Sequence, residues 1–537
     1  MPTIVLDSAG WLSVSKQTAR RRQAPNPKLD DVAMAPVSRR SFLAGGAGLA
    51  GGALAAGMSA QQARADATGP RGGSPGESLN ADVVVVGAGI SGLTAAAAIV
   101  AAGYSVIVLE ASDRVGGRVL NHDIGGGHIA EAGGEFIGPT QTHIAVLAQS
   151  LGIPTFRVYD EGDDVYVYGS TRILYKDTGL LGSAPPDPRL LPDLTIVSAE
   201  IDAIALDFPV AAPWTWANAA ETDIITFEDW IRARTINFDY DLPVLASVTE
   251  AVWGCDPHEI SALYAIAYCA AAGDETTPGT FQALIDVRGG AQMYRFVGGS
   301  QRVPLALAAG LGSAVQLNAP ARTIVQDDAG VVVVSDTLTV SAQQCIVAMS
   351  PALASRIEYE PALPSARDML TQRVFMGALM KVEAIYSTPF WRDSGLTGQF
   401  LTAGGPVCYA FDNSPPDGSV GVLAGFVGGQ YQRSLGPQPP AARQASVVGQ
   451  YAAVFEDSRF LSPSSYFDMD WTTEPWIRGC PTGLFGPGTL TAYGPALTAP
   501  VGSIHWAGTE TSDYWPGYMD GAVRAGQRAA GEVIAEL

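Results

Sequence analysis

The clearest patterning of apolar and polar positions begins near residue 82. Residues 82–86 form, after Asp82, an apolar, β-branched run, which predicts a buried strand of a parallel sheet. Residues 90–102 are rich in Ala and Leu and predict a helix packed on that strand, and 105–109 predict a second strand ending at Glu110. Between 315 and 349, strand-like runs (Val331–Val334, Cys345–Ala348) alternate with turns, as a segment returning to a sheet would. Residues 185–240 carry more acids, aromatics and helical periodicity, which suits a cap over a site. No internal repeat is present. Residues 66–80, with Gly, Pro and Ser, predict a flexible lead-in.

The turn between the first strand and helix carries the first chemistry. Gly87 permits a tight turn, Gly89 removes a side chain where a pyrophosphate must approach, and Gly92 lets the helix pack closely on the strand. The helix start offers free N–H groups and a positive dipole end to phosphates. Glu110 stands at the distance where an acid takes ribose hydroxyls. These features predict a bound dinucleotide, and NAD and FAD satisfy them equally. Arg114 to Arg118, with Gly116 and Gly117 between, follows directly. It resembles the extension of the glutathione-reductase-like FAD families and favours FAD; the alternative is a surface turn with exposed arginines.

A second block, near the C-terminus, resembles the flavin monoamine oxidases. It runs from Ile477 through Cys480 to Gly488, then through Ile504–Thr511 and Trp515–Val523. Gly377–Val382, followed by Pro389–Arg392, is similar to the family's catalytic-lysine segment, and Phe136–Gln141 to its stretch beside the flavin ring. The resemblance spans roughly residues 81–537, weakly across 160–290. It implies an α/β FAD-binding Rossmann-like domain of glutathione-reductase-like type, with an inserted α+β substrate domain. The FAD domain is expected in three segments, 81–157, 291–368 and 474–537, and the substrate domain in two, 158–290 and 369–473.

Residue roles follow from the same resemblance. Lys381 matches the lysine that bonds through a water to flavin N5. A desolvated lysine shifts its pKa down, so Lys381 is expected to move protons or assist O2 reduction, unless it is a surface lysine ending a strand. Tyr518 matches one wall of an aromatic cage that orients the amine; it is otherwise a helix-packing aromatic. Pro481 occupies the usual place of the second wall, so an aromatic from elsewhere or a wider cavity is expected. Cys480 aligns with a cysteine that carries FAD through a thioether, or stands as an unreacted thiol near the ring. Glu110 is assigned to the adenosine ribose, Arg118 and Gly89 to the pyrophosphate, and Ala321 to the adenine. Gly508, Thr509, Gly517 and Met519 are assigned to the ring and ribityl chain, Trp471 to the isoalloxazine, and Gly134, Glu135 and Phe136 to cofactor binding. Glu510 is expected to be a structural hydrogen-bond partner.

The implied activity is oxidative deamination of a small amine to an aldehyde or ketone, with O2 reduced to H2O2. The cofactor carries that chemistry, so no triad or carboxylate pair is required. An L-amino-acid oxidase remains open and would need an arginine to clamp a carboxylate; Arg172, Arg232, Arg234 and Arg288 are available. A dehydrogenase passing electrons to a carrier protein and a flavin-loaded binding protein without turnover also remain open.

The chain of 537 residues is long enough for two domains. Its first 65 residues differ in kind. Ser38–Leu43, with Arg39 and Arg40, precedes a Gly/Ala/Leu stretch to about Met58 and a small-residue site at Ala63–Ala65. This predicts a twin-arginine export signal, and hence a periplasmic or extracellular protein. A retained N-terminal anchor is the alternative, though so many Gly and Ala make a poor membrane span. The segment before Met34 is long for such a signal, and Met34 is the expected start. The net charge is −21; without residues 1–65, 24 basic side chains face 50 acidic ones, giving −26. Such acidity argues against nucleic acid or an anionic membrane as partner. Stable membrane insertion of the mature protein is not expected, and a homodimer is left open. The five cysteines form no CxxC pair and no metal-like group with the five histidines, so no metal is expected.

Overall fold

The computed structural model describes residues 76–178 and 182–537. The expected export signal over 1–65 and the expected lead-in up to residue 75 lie outside the described residues.

The first sheet holds five parallel strands in the order Val315–Gln316, Val106–Leu109, Val83–Val86, Gln344–Ala348 and Ile504–Ala507. Val83–Val86 is central and fully buried, which its unbroken run of Val requires of a strand covered on both faces. The helix Ile90–Ala101 leaves that strand and packs against the final helix, Met519–Glu536. Gly526 lies against the Ser91 carbonyl, where no side chain would fit. N- and C-terminal segments thus share one core, with Leu93 and Val523 both inside it.

A second five-stranded sheet runs Glu77–Asn80, Leu338–Ala342, Gly330–Ser335, Ala321–Asp327 and Glu358–Glu360. The expectation of a flexible lead-in through residue 80 is corrected here. Residues 77–80 form a strand pairing in parallel with Leu338–Ser341. Leu79 packs on the core of this sheet, and that burial outweighs the Gly/Pro/Ser composition before it.

The third sheet has seven strands, ordered Ser465–Asp470, Leu379–Tyr386, Gly421–Gly428, Tyr409–Asp412, Leu396–Thr402, Asp163–Tyr168 and Thr171–Tyr175. All eight residues of Leu379–Tyr386 are buried, between paired neighbours on both sides. Helices Leu191–Ala205, Phe238–Trp253, Ala262–Ala270 and Phe281–Ile285 share a large apolar core with this sheet. The helical reading of 185–240 therefore describes part of a larger helical layer. Among the described residues, no helix is long and apolar enough to cross a membrane.

Candidate active site

A cavity of about 640 Å³ runs between the first sheet and the helical layer. Its outer part is made of backbone. Gly87 has φ +106°, and a Cβ there would lie 2.7 Å from the Ala348 carbonyl oxygen. Gly508 has φ +99°, and a Cβ there would lie 2.8 Å from the Met349 carbonyl. Both turns demand glycine. Two helices begin at this wall. Gly89 precedes Ile90–Ala101, Tyr518 precedes Met519–Glu536, and neither start is capped by a side chain. Unpaired N–H groups and two positive dipole ends therefore face one groove, which suits a pyrophosphate.

Glu110 ends its strand with the carboxylate accepting from Ala88 N at 2.7 Å and Ser112 N at 2.9 Å. These bonds tie the acid to the glycine turn, and burial raises its pKa. Ala321, Trp471, Gly134, Phe136, Thr509 and Gly517 also line the cavity. Trp471 is fixed by donation from Nε1 to the Ala132 carbonyl at 2.9 Å. Gly92 does not line the cavity; a Cβ there would strike the Gly87 carbonyl, so it lets the helix pack closely on the strand, as expected. Arg118 lines the cavity, but its guanidinium grips both Glu510 oxygens, at 2.6 and 3.1 Å, and the Pro481 carbonyl at 2.9 Å. Only Nε and one terminal N–H remain for a ligand. Glu510 also accepts from Gly483 N at 3.0 Å; burial pushes its pKa up, but Arg118 overrides this and holds it below the usual value. The pair closes the C-terminal segment onto the N-terminal one.

At the inner end, Lys381 sits within its strand and is 3% exposed, so it is no surface lysine. Its ammonium donates to the Glu131 carbonyl at 2.5 Å, the Gly133 carbonyl at 3.2 Å and Glu135 Oε1 at 2.6 Å. Glu383, two residues along the same strand face, lies 3.5 Å away. Arg295 pairs with Glu131 and approaches Glu135 at 3.4 Å. The expectation of a lowered lysine pKa is corrected: burial alone would lower it, but Glu135, Glu383 and Glu131 together hold it above its ordinary value. Conversely, burial pushes Glu135 up to about 8 against the pull of Lys381 and Arg295, and Glu383 up to about 7. Arg295, Glu131 and Glu383 were not singled out from the sequence, although Glu383 at strand period two from Lys381 was a usable signal.

Cys480 also lines the cavity, packed with Leu379 and Trp471, and burial raises its thiol pKa. All five cysteines are buried and free. Beside Tyr518 stands Tyr268 from Ala262–Ala270, ring centroids 6.1 Å apart; the aromatic that accompanies Tyr518 thus comes from the helical layer. Phe136 and Phe411 pack at 5.0 Å. Among the described residues, none of the lining side chains from 183–292 or 401–426 is charged. The four arginines considered for a carboxylate clamp do not line the cavity. Arg172 reaches Glu456, Arg232 Glu228, Arg234 Glu200, and Arg288 Asp160.

The glycine cradle, the two open helix starts and the cavity-lining Glu110 fit FAD, which would supply the redox chemistry at the inner end. Comparison with known proteins agrees. A family model for flavin containing amine oxidoreductases matches residues 90–534. A putative flavin-containing monoamine oxidase of Mycobacterium tuberculosis is 42% identical over 461 residues, 85% of this chain and 97% of the relative. Flavin-containing amine oxidase A of Equus caballus is 34% identical over 470 residues, 85% of each chain. The solved structure of putrescine oxidase bound to putrescine superposes with a TM-score of 0.80 at 34% identity, covering 85% of this chain and all of that one. Cyclohexylamine oxidase from Brevibacterium oxydans gives 0.79 at 34% identity, covering 85% and 99%. The chain belongs to the flavin-containing amine oxidase family and is an FAD-dependent enzyme that oxidises amines.

Proposed function

We propose that the substrate is a monoamine with an apolar body and that O2 is the electron acceptor, yielding H2O2. The observation that carries the substrate reading is the uncharged wall contributed by residues 183–292 and 401–426, with Val244, Leu284, Tyr409 and Phe411 among its members. Burying such a body contributes roughly 25 cal/mol per Å². A second ammonium, as in the putrescine bound by one structural relative, would meet no carboxylate on that wall and would lose its hydration uncompensated. A carboxylate would likewise meet no arginine there. Cyclohexylamine, named for another relative, has the chemistry this wall favours.

The test is anaerobic titration with benzylamine, cyclohexylamine, putrescine and L-amino acids, following flavin absorbance. The expected outcome is bleaching by the first two, with colour and H2O2 returning in air. Bleaching by putrescine or amino acids alone would overturn the substrate reading. Bleaching that air does not reverse, but an added electron carrier does, would favour the dehydrogenase. We infer in addition that the protein is exported by the twin-arginine route, on the strength of Arg39–Arg40 and the apolar stretch that follows. An N-terminal peptide of the exported protein that begins before residue 60 would contradict cleavage near Ala65.

A further inference from the structure

The inner wall carries a charge imbalance that the amine reaction does not by itself require. Lys381 and Arg295 face Glu131, Glu135 and Glu383, and each of the five side chains is at most 4% exposed. Fully ionised, this group holds a net charge of −1 out of contact with water. An uncompensated charge is costly to bury, so the group favours one more positive charge or one proton. Among the described residues, the elements around it supply nothing else to balance it. The strand Leu379–Tyr386 brings Lys381 and Glu383, His128–Glu131 brings Glu131, and Tyr294–Phe296 brings Arg295. Asn413 adds a neutral donor to Glu383 at 3.0 Å, and Ser414 a neutral carbonyl to Arg295.

Within the group, Glu135 is the member placed to exchange a proton. It lines the cavity, and its Oε2, 3.4 Å from Arg295 Nε, accepts no hydrogen bond, although Oε1 is held by Lys381. Lys381 cannot take that role, because three acceptors surround its three N–H bonds and no lone pair is free.

We propose that Glu135, once ionised on the alkaline side of neutrality, is the proton acceptor for the incoming substrate: an alkylammonium enters the cavity, its N–H bond breaks, and the proton passes to the Glu135 carboxylate. The products are a neutral amine, whose nitrogen lone pair is then available for oxidation, and a neutral carboxyl in a group whose net charge has risen to zero. No electrons move in this step. Magnitudes permit it. A free alkylamine resembles lysine, with a pKa of about 10.4, and burial in an apolar cavity lowers an ammonium pKa by up to roughly 3–5. That brings it below Glu135, which stands at about 8.

The inference rests on the monoamine reading, and the test separates the two. α,α-Dimethylbenzylamine has no hydrogen on the carbon bearing nitrogen, so it binds without being oxidised. Calorimetric titration of the FAD-loaded protein at pH 8.5, in two buffers of different ionisation enthalpy, counts the protons released per amine bound. Wild type is expected to release close to none, Glu135→Gln close to one, and Glu135→Asp to restore the wild-type count. The flavin spectrum of each variant checks that the site is intact. Equal counts in wild type and Glu135→Gln, or no binding to wild type, would overturn the proton role. Failure of benzylamine to bleach wild-type flavin would instead strike at the monoamine reading.

Discussion

The outer end of the cavity is made of backbone: the turn at Gly87, the turn at Gly508, and the open starts of two helices. The inner end is made of side chains drawn from separate strands, with Lys381, Glu135, Glu383, Glu131 and Arg295 meeting out of water. The outer end recognises an anion through groups that every residue owns, so it tolerates almost any side chain except one where none fits. The inner end depends on a particular balance of charges and tolerates few substitutions. One end fails through shape and the other through charge, and each failure has its own signature.

The largest loss of bound flavin is expected at the outer end. Gly87→Val places a side chain at φ +106° against the Ala348 carbonyl. The backbone strain alone is about 1–3 kcal/mol, and the clash adds to it. The ratio of flavin to protein absorbance should fall at least about tenfold, since about 1.4 kcal/mol is a factor of ten. Flavin content near wild type would show that the turn can relax. At the inner end the counterpart is Lys381→Met, read in stability and reoxidation and not in flavin content. Removing one partner of a buried ion pair costs about 3–5 kcal/mol, so urea unfolding should shift strongly. Flavin reoxidation by O2 should slow on the order of 100-fold, with FAD largely retained. Unchanged oxidative kinetics would remove Lys381 from that step.

A smaller effect sharpens the charge side of the comparison. Glu135 and Glu383 are raised from 4.5 to about 8 and about 7, so the folded protein keeps protons at neutral pH that the unfolded chain has released. Stability is then greatest on the acid side of this window and falls as pH rises from about 5 through 8. A tenfold difference in proton affinity between the folded and unfolded chain corresponds to about 1.4 kcal/mol. Urea midpoints at pH 6 and pH 9 should differ in that direction, and Glu135→Gln should narrow the difference. A midpoint that rises with pH in this window would contradict the buried charge balance.

The same contrast explains what was legible in the sequence. Gly87, Gly89 and Glu110 lie within one strand-turn-helix-strand unit, where the groove is written by local spacing, and the strands at 83–86 and 106–109 follow from their unbroken apolar runs. Lys381 was legible through its motif, and Glu383 was reachable by strand period two. Glu131, Arg295 and Asn413 sit on segments far apart in the chain and meet only through tertiary packing, which no local pattern records. Tyr268 lay inside an apolar helical run where one more aromatic reads as core. Arg118 lines the cavity, as its motif led one to expect, but its pairing with Glu510, almost four hundred residues away, left no local signal.

Cys480 joins the two ends and gives the smallest expected change in stability. Its thiol is packed between Leu379 and Trp471 on the cavity wall. Burial and, less strongly, Asp470 raise the thiol pKa, while Arg118 and Lys381 pull it down without overturning the rise. We expect this sulfur to carry FAD as a thioether, and the yellow colour should precipitate with acid-denatured wild-type protein. Cys480→Ala should release the colour to the supernatant and cost only about 1 kcal/mol of stability, because it removes one small buried atom. It should leave the outer groove intact, so flavin is still bound before acid is added. Colour released from wild type would show a free thiol at the wall, and FAD would then be held by the backbone groove and its non-covalent contacts alone.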